Sequence, residues 1–252
     1  MASRPAPRTM TVIAKRKVSP SMLRVTLGGE GMVDYPPDQQ GGYVKLRLAP
    51  LPGKDKPTVR TYTIRAQREG EMDVDFVLHE TPDGSHGPAT DWALAAEPGT
   101  VIDLGGPGPA KPLPEGMDFY LIAGDMTALP AISVNLEALP RDAKGIAVLE
   151  VQDDADRQDL AAPEGVEIRW LVNPQPGTQP DLLAGALRDI AWPQGDVHAW
   201  AACEFSSMKA LRGLLREERG LGPDRLYISS YWKSGLDEDN HKLAKREDAE
   251  AV

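Results

Sequence analysis

The sequence contains a single cysteine, Cys203, among its 252 residues. One thiol excludes an intramolecular disulfide, and it cannot by itself build a four-cysteine zinc or iron–sulfur site. Any redox chemistry therefore requires a cofactor that the chain binds.

Long apolar segments are also missing. The first ten residues contain no apolar stretch of signal-peptide length, and nowhere do about 18 apolar residues follow one another without interruption. We therefore expect a cytoplasmic protein without stable membrane association. The length is ample for two domains with buried cores.

Positive charge is scarce over the whole chain but not at its beginning. The formal net charge is -10, which argues against a nucleic-acid-binding protein. Residues 1–70 nevertheless contain thirteen Lys and Arg against five Asp and Glu. This basic part indicates contact with an anionic ligand, and an uneven scatter of charge is the alternative.

The first half of the sequence has the pattern of strands and turns. Apolar residues alternate in six short runs, which are separated by Gly and Pro pairs such as Pro36–Pro37 and Pro52–Gly53. Six antiparallel strands can close into a barrel, and one helix is expected over Pro88–Ala96. The six runs are Thr11–Lys17, Met22–Leu27, Tyr43–Leu48, Thr61–Arg65, Met72–His79 and Thr100–Leu104.

From Met117 onward, strands and helices alternate, which is typical of a mainly parallel sheet in an α/β domain. Gly105–Pro114 is rich in Gly and Pro and predicts the linker. The expected domains are a β-barrel over residues 1–112 and an α/β domain over 113–235. A charged tail over 236–252 is expected to be either a solvated helix or disordered.

The expected strands of the second domain are Phe119–Ala123, Ile146–Val151, Glu167–Val172, Val197–Ala202 and Arg225–Ser229. The expected helices are Leu129–Leu139, Leu182–Ile190 and Ser207–Arg219.

A cation and an aromatic ring share one face of the strand Arg60–Arg65. In an extended strand Arg60, Tyr62 and Ile64 point one way. A guanidinium can bind a diphosphate and a phenol ring can pack on a flat heterocycle, so the pair suits a dinucleotide such as FAD. An ordinary barrel strand with an exposed Arg and a packed Tyr is the alternative.

A strand followed by a helix start forms the second motif. The strand ends near His79, and Gly87 precedes Pro88 in the first helical turn, where the missing N–H leaves no gap in hydrogen bonding. Free backbone donors at such a helix start can bind a pyrophosphate. The alternatives are a core histidine and a plain helix cap.

The third motif is the strand, glycine turn and helix of Leu121–Ile132. Thr127 is expected to cap the helix, and Pro130 lies in its first turn. Ligands of open α/β sheets bind at such strand ends. The chain lacks the G-x-G-x-x-G fingerprint, so a fully formed dinucleotide fold of that type is not indicated.

In this order and spacing, the three motifs resemble those of the siderophore-interacting proteins, FAD-dependent ferric-siderophore reductases related to the ferredoxin-NADP reductases. The resemblance covers nearly the whole chain. It extends to Trp200–Glu204, to the helix with Lys209–Arg212, and to Ser230–Gly235.

The resemblance implies that the barrel holds FAD. Arg60, Tyr62 and Thr63 would hold the flavin and its phosphates, His79 would pack on the cofactor, and residues 87–90 would contact the pyrophosphate. The implied FAD-binding residues are Arg60, Tyr62, Thr63, Val77, His79, Gly87, Pro88, Ala89, Thr90 and Thr127.

The resemblance also implies a ferric siderophore as substrate, bound as an anion by Lys45 and Lys233, for which solvated surface lysines are the alternative. The electron donor would be NADH, NADPH or a ferredoxin. Met126 and Cys203 depart from the family, which commonly has an acidic residue and a glycine there. Asp153 and Asp154 favour NADH, unless they are merely solvated loop carboxylates.

Electron transfer of this kind requires no general acid or base and no metal ligand from the protein, since FAD mediates between a two-electron donor and one-electron iron. We expect a monomer that releases ferrous iron in the cytoplasm. A general NAD(P)H:flavin oxidoreductase and a non-catalytic ferric-siderophore-binding protein are the alternative functions.

Overall fold

The structure, a computed structural model, describes residues 6–78 and 86–250. The chain divides into two compact units, Met1–Pro112, here called the barrel unit, and Leu113–Val252, here called the sheet unit. Within the described ranges, no helix combines the length and the apolar character needed to cross a membrane.

The barrel unit contains six antiparallel strands that close in the order β1-β2-β5-β4-β3-β6, which confirms the predicted barrel. One helix, α1, lies between β5 and β6. The elements are β1 (Arg8–Ser19), β2 (Met22–Gly28), β3 (Tyr43–Leu48), β4 (Thr58–Arg68), β5 (Glu71–Val77), α1 (Pro88–Ala95) and β6 (Val101–Gly108).

The alternating pattern of β3 shows why these residues form a barrel. Val44, Leu46 and Leu48 are buried in the core, whereas Lys45 and Arg47 between them are exposed. Side chains of a strand point alternately to its two faces, so one face fills the interior and the other meets water.

The prediction that Gly105–Pro114 is a linker is wrong for its first part. Strand β6 continues to Gly108, because Gly105 pairs with Lys45 and Gly108 pairs with Tyr43 of β3. A run of Gly and Pro has no alternating apolar pattern, so the sequence does not show this pairing.

Ion pairs on the barrel wall hold β2, β4 and β5 together. Arg24 donates to both carboxylate oxygens of Asp75 at 2.6 and 2.7 Å, and Arg68 donates to both oxygens of Asp73 at 2.8 and 3.0 Å. Thr26 donates to Asp73 at 2.8 Å. Such two-pronged bonds fix the strand register, because a slip of one residue would turn every side chain to the wrong face.

The sheet unit contains five parallel strands in the order β11-β10-β7-β8-β9, with helices in the connections. Its elements are β7 (Phe119–Gly124), α2 (Leu129–Ala138), β8 (Gly145–Val151), β9 (Val166–Val172), α3 (Leu182–Arg188), β10 (Val197–Glu204), α4 (Phe205–Arg212), β11 (Leu226–Trp232) and α5 (Glu238–Glu250).

Strands β8 and β10 are buried along their whole length, as expected for central strands that helices cover. The turn after β7 requires a glycine for reasons of space. A Cβ atom on Gly124 would lie 2.8 Å from the carbonyl oxygen of Ala202 and 2.7 Å from Cδ1 of Ile132. Strands β7 and β10 can therefore end side by side.

The predicted helix Ser207–Arg219 is two segments. Helix α4 ends at Arg212, and Gly213–Glu218 continues as a π-helical turn in which the amide of Arg219 donates to the carbonyl of Leu214. Leu214 and Leu215 are both buried. The wider turn accommodates these two consecutive core residues, a feature that a 3.6-residue periodicity does not reveal.

The tail forms helix α5, which packs on β11 and α4. The ring nitrogen Nε2 of buried His241 lies 2.8 Å from the hydroxyl of Ser230. The guanidinium of Arg212 donates to both oxygens of Asp248 at 2.5 and 2.8 Å. These contacts hold α5 against β11 and α4. The charged composition of the tail, taken alone, was also compatible with a solvated helix or a disordered segment.

We predict that acid weakens the docking of α5. Burial, and then the charge of Lys245, lower the pKa of His241 to about 4, below its ordinary 6.5, so the folded state binds fewer protons. The stability present above pH 6.5 is therefore lost as the pH falls from 6.5 toward 4. Relative to His241→Gln, the free energy of unfolding of the parent should fall by about 2 kcal/mol between pH 7.5 and 5 in urea titrations. Parallel pH profiles of the two proteins would contradict this assignment.

Candidate functional site

Arg60 and Tyr62 lie on one face of β4. Tyr62 pairs with Val44 and Arg60 pairs with Leu46 across to β3, and directly opposed residues share a face. Both side chains are half-buried, and Nη1 of Arg60 donates to the carbonyl of Val59 at 2.9 Å. The structure thus places the predicted cation and ring on the same face of β4, the face of buried Val44 and Leu46, where Tyr62 packs against the barrel core.

A row of aromatic rings connects this face to helix α1. The centroids of Tyr62 and Phe76 are 4.4 Å apart, and those of Phe76 and Trp92 are 5.7 Å apart. The hydroxyl of Thr90 also lies within 3.4 Å of the carbonyl of Val77, where β5 ends. The first turn of α1 is therefore fixed to the strands that carry Tyr62 and Val77.

The start of α1 is built from small residues. Gly87 precedes Pro88 in the first turn, and no side chain of the described residues caps this helix. A Cβ atom on Gly87 would meet no atom within 4 Å. Buried Ala89 and Thr90 follow at once, and free amide groups in the first turn of a helix are donors of the kind that bind an anionic group.

Thr63 and Lys45 belong to the other face of the same strands. Lys45 pairs with Thr61 and Thr63 pairs with Tyr43, whereas Arg60 and Tyr62 occupy the alternate positions. The ammonium of exposed Lys45 lies 5.9 Å from the centre of the Tyr43 ring. The structure therefore does not bring Lys45 to the face of Arg60 and Tyr62. The predicted His79 lies outside the described residues.

Each strand of the sheet unit ends near a polar side chain at its carboxyl edge. This edge is where open α/β sheets bind their ligands. The five residues, in the order of the strands in the chain, are Asp125, Glu150, Asn173, Glu204 and Trp232.

Asp125 joins the ends of three strands. Its Oδ2 accepts hydrogen bonds from the amide of Glu204 at 2.8 Å and from the indole N–H of Trp232 at 2.7 Å. Its Oδ1 accepts from the amide and the hydroxyl of Thr127 at 2.9 and 2.5 Å. Burial raises the pKa of Asp125, and the hydrogen bonds from Thr127, Trp232 and Glu204 oppose that shift.

The prediction that Thr127 caps α2 is wrong. The helix begins after Ala128, which supplies no side-chain cap, and the hydroxyl of Thr127 turns back to Asp125. A capping hydroxyl accepts from a backbone amide of the helix, whereas this hydroxyl donates to the carboxylate two residues earlier, a strong charged acceptor.

Glu204 and Trp232 support the segment that carries Lys233. The carboxylate of Glu204 accepts from the amide groups of Ser206 and Ser207 at the start of α4 and from the amide of Ser234 at 3.1 Å. The ammonium of Lys233 lies 4.4 Å from the centre of the Phe205 ring. Lys233 thus has a defined position at this edge.

Glu150 has fewer hydrogen-bond donors than Asp125 or Glu204. Its Oε1 accepts from the side-chain amide of Asn173 at 2.8 Å. Burial first of all, together with the charges of Asp125 and Glu204, raises the pKa of Glu150 to about 7. Sequence reasoning missed Glu150, Asn173 and Trp232 as members of this site. The only signal was an acidic residue inside the apolar run of β8.

The two positions that depart from the family pattern are both buried in the sheet unit. Burial raises the pKa of the Cys203 thiol well above its ordinary range, so the thiol is protonated. Sδ of Met126 lies 3.8 Å from Nε2 of Gln152. Neither side chain places a charge at the carboxyl edge.

The loop after β8 contains the two carboxylates that were expected to favour NADH. Asp153 accepts from the amide of Ala155 at 2.9 Å, and Asp154 forms an ion pair with Arg157 at 2.6 Å. Both carboxylates therefore have partners within the loop.

Comparison with known protein families gives two matches. A family described as siderophore-interacting protein matches residues 117–235, and a siderophore-interacting FAD-binding domain matches residues 47–111. The chain is 38% identical over 253 residues to a ferric vibriobactin reductase of Vibrio cholerae, and the alignment covers 92% of each protein.

Solved structures give the same result. A siderophore-interacting protein from Aeromonas hydrophila has a TM-score of 0.84 and 33% identity, and the match covers 97% of this chain and 98% of that one. A siderophore utilization protein from T. fusca has a TM-score of 0.82 and 35% identity, with 93% and 96% covered. Both likenesses extend over the barrel and the sheet.

We predict that Glu150 makes the sheet unit less stable as the pH rises. Its pKa in the fold, about 7, exceeds the ordinary 4.5, so the folded state binds more protons and loses stability as the pH rises from 4.5 through 7. Glu150→Gln keeps an acceptor for Asn173 but does not titrate. Between pH 5 and 8, the free energy of unfolding of the parent should fall by roughly 2 kcal/mol relative to this variant.

The matched control is Glu167→Gln on β9, because Glu167 is exposed and pairs only with neighbouring Arg169. Chemical unfolding at several pH values measures all three proteins. If Glu150→Gln has the same pH profile as the parent, Glu150 is ionised throughout and the assignment is wrong.

Proposed function

The chain belongs to the siderophore-interacting protein family, and we propose that it is an FAD-dependent reductase that transfers electrons from NADH to iron(III) held in a siderophore. The similarity to a ferric vibriobactin reductase and the match to a siderophore-interacting FAD-binding domain support a siderophore-related flavin reductase. The iron complex, the electron donor and the residues that bind them are parts of the proposal.

One observation carries the proposal: in the barrel unit an Arg and a Tyr share one strand face, and a row of aromatic rings leads from this face to the start of a helix. Arg60 and Tyr62 share a face, and the row of Tyr62, Phe76 and Trp92 leads to α1, which begins at Gly87. A dinucleotide such as FAD requires donors for a pyrophosphate together with an apolar surface for a flat ring, and these residues fit both requirements.

Bound FAD supplies an acceptor for two electrons that can pass them on one at a time. The guanidinium of Arg60 and the amide groups of Ala89 and Thr90 would bind its phosphates, and Tyr62 would pack against it. Val77 at the end of β5 would lie beside it, whereas Thr63 belongs to the other face of β4 and would not share the surface of Tyr62. Oxidation of one NADH by two iron(III) ions gives NAD⁺, two iron(II) ions and one proton, and since water can accept this proton, no acid or base from the chain is needed.

Lys233 would offset part of the negative charge of the iron complex, and Lys45 could contribute only from the other face of β3, since it does not share the face of Arg60 and Tyr62. Each ammonium lies over an aromatic ring, Tyr43 for Lys45 and Phe205 for Lys233, which gives the charge a preferred position at little entropic cost. A Lys ammonium acts here as a point charge, which suits ferric complexes of different shapes.

We propose NADH rather than NADPH as the donor. The sheet unit contains 25 Asp and Glu against 14 Lys and Arg, so the additional phosphate of NADPH would meet repulsion. Asp153 adds to this repulsion beside β8, where such folds hold the ribose, whereas Arg157 compensates the charge of Asp154. A ferredoxin is the alternative donor. We place the reaction and the release of iron(II) in the cytoplasm.

We predict that Arg60→Ala weakens FAD binding by about tenfold to a hundredfold, because a charged hydrogen bond to a phosphate contributes about 1.5–3 kcal/mol. Flavin fluorescence during titration of the FAD-free protein measures this affinity. Arg47→Ala is the control, since Arg47 lies on the exposed face of β3. Equal affinities for Arg60→Ala and the parent would remove Arg60 from the site.

We predict that the FAD-loaded protein reduces anionic ferric siderophores and that NADH reduces its flavin faster than NADPH or reduced ferredoxin does. Anaerobic stopped-flow absorbance follows the flavin, and a ferrous chelator reports the iron. Lys45→Ala and Lys233→Ala should each weaken binding of the complex by about 1 kcal/mol, roughly fivefold, with Lys144→Ala as an exposed control.

Two outcomes would replace this proposal. Rapid turnover of free flavin without any gain from a ferric siderophore indicates a general flavin oxidoreductase. Tight binding of the complex without reduction indicates a siderophore-binding protein.

A further inference from the structure

A cavity of about 350 Å³ lies between α4, the π-helical turn, β11 and α5 in the sheet unit. Its polar lining comes from Arg212, Arg216, Ser229, Ser230, Lys245 and Asp248. The cavity is not at the carboxyl edge described above, and the proposed reductase function does not use it.

Lys245 is a half-buried ammonium without a carboxylate partner among residues 6–78 and 86–250. It donates to the hydroxyl of Ser229 at 3.0 Å and to the carbonyl of Ser230 at 2.9 Å, both neutral acceptors. Burial lowers its pKa, which reflects the cost of holding this charge away from water. Buried charges are normally paired, so an anion in the cavity would complete this site.

The other charges of the lining leave a positive balance. Asp248 is neutralised, because Arg212 binds both of its oxygens and Lys209 lies 3.8 Å from it. Arg216 is exposed and has no ion pair within the described part of the chain. Lys245 and Arg216 therefore remain as two uncompensated cations that line one cavity.

This positive site stands out because its surroundings are acidic. The sheet unit as a whole has 11 more acidic than basic residues, 25 against 14. The π-helical turn Gly213–Glu218 carries Arg216 to the cavity, and single π-helical turns frequently occur at functional sites. Charge and backbone conformation thus point to the same place.

We propose that this cavity binds a small phosphate-bearing anion, held by Lys245 and Arg216 with the hydroxyl of Ser229 as a further hydrogen-bonding group. A guanidinium and an ammonium are the side chains that bind phosphate oxygens most strongly. The volume is sufficient for a compact ligand with one or two phosphoryl groups. This proposal does not depend on the identity of the electron donor or of the iron complex.

Binding of inorganic pyrophosphate to the full chain tests the proposal. The protein is saturated with FAD and NAD⁺, which fill the sites where the pyrophosphate of a dinucleotide would bind. Isothermal titration calorimetry should give a dissociation constant between about 10 μM and 1 mM. Arg216→Gln and Lys245→Met should each weaken binding about tenfold.

Lys242→Gln is the matched control, since Lys242 lies on the same helix but pairs with Glu238 at 2.8 Å. Its affinity for pyrophosphate should equal that of the parent. Arg216 is exposed and has no ion pair among the described residues, so Arg216→Gln should leave the fold intact. This variant therefore tests the site even if Lys245→Met displaces α5. Circular dichroism reports whether helix content is retained.

Three results would overturn the proposal. The parent does not bind pyrophosphate at concentrations up to about 20 mM, or Arg216→Gln binds it as tightly as the parent does. The third such result is that citrate binds at this cavity and pyrophosphate does not, which would show that the ligand is a carboxylate.

Discussion

Asp125 is buried at the end of β7, and its two carboxylate oxygens accept four hydrogen bonds from Thr127, Glu204 and Trp232. This one side chain holds the ends of β7, β10 and β11 in a fixed relation. The positions of the α4 start and of the segment with Lys233 follow from it, because Glu204 binds the first amide groups of α4 and the amide of Ser234. A carboxyl group suits this position, because its two oxygens can accept all four hydrogen bonds.

The two units contribute to the chemistry in different ways. The barrel unit offers cations, an aromatic row and a helix start, which are features suited to a dinucleotide cofactor. The sheet unit concentrates acidic residues, and three of its buried carboxylates meet at one edge. The acidic balance of the unit and these three carboxylates give this edge a negative electrostatic character.

Much of the fold was predictable from the sequence because strands with one buried face repeat every second residue, as Val44, Leu46 and Leu48 do. The strands of the parallel sheet were also recognisable as short apolar runs. The end of β6 was not, since Gly105–Gly108 carries no such pattern, and its pairing with β3 is a tertiary contact. The π-helical turn was likewise hidden, because its leucines fit an ordinary helix equally well.

Residues of the candidate site that lie on one segment could be predicted from the sequence. Contacts between residues of different segments could not. Arg60 and Tyr62 are two residues apart on one strand, so their common face follows from the strand period. The bond between Glu150 and Asn173 joins β8 to the loop after β9, and only the sheet brings them together. Thr127 is a local prediction that was wrong. The sequence predicted a helix cap, but the Thr127 hydroxyl donates to the carboxylate of Asp125.

The burial of Cys203 has a practical consequence for spectroscopy. This thiol is the only one in the chain, and its surroundings keep it protonated and out of contact with solvent. Maleimide dyes and nitroxide labels react with exposed thiolates, so the native protein offers them almost no background. A cysteine introduced on the surface of either unit can therefore carry a single reporter without removal of the natural residue, and paired labels can measure distances between the barrel and the sheet in solution.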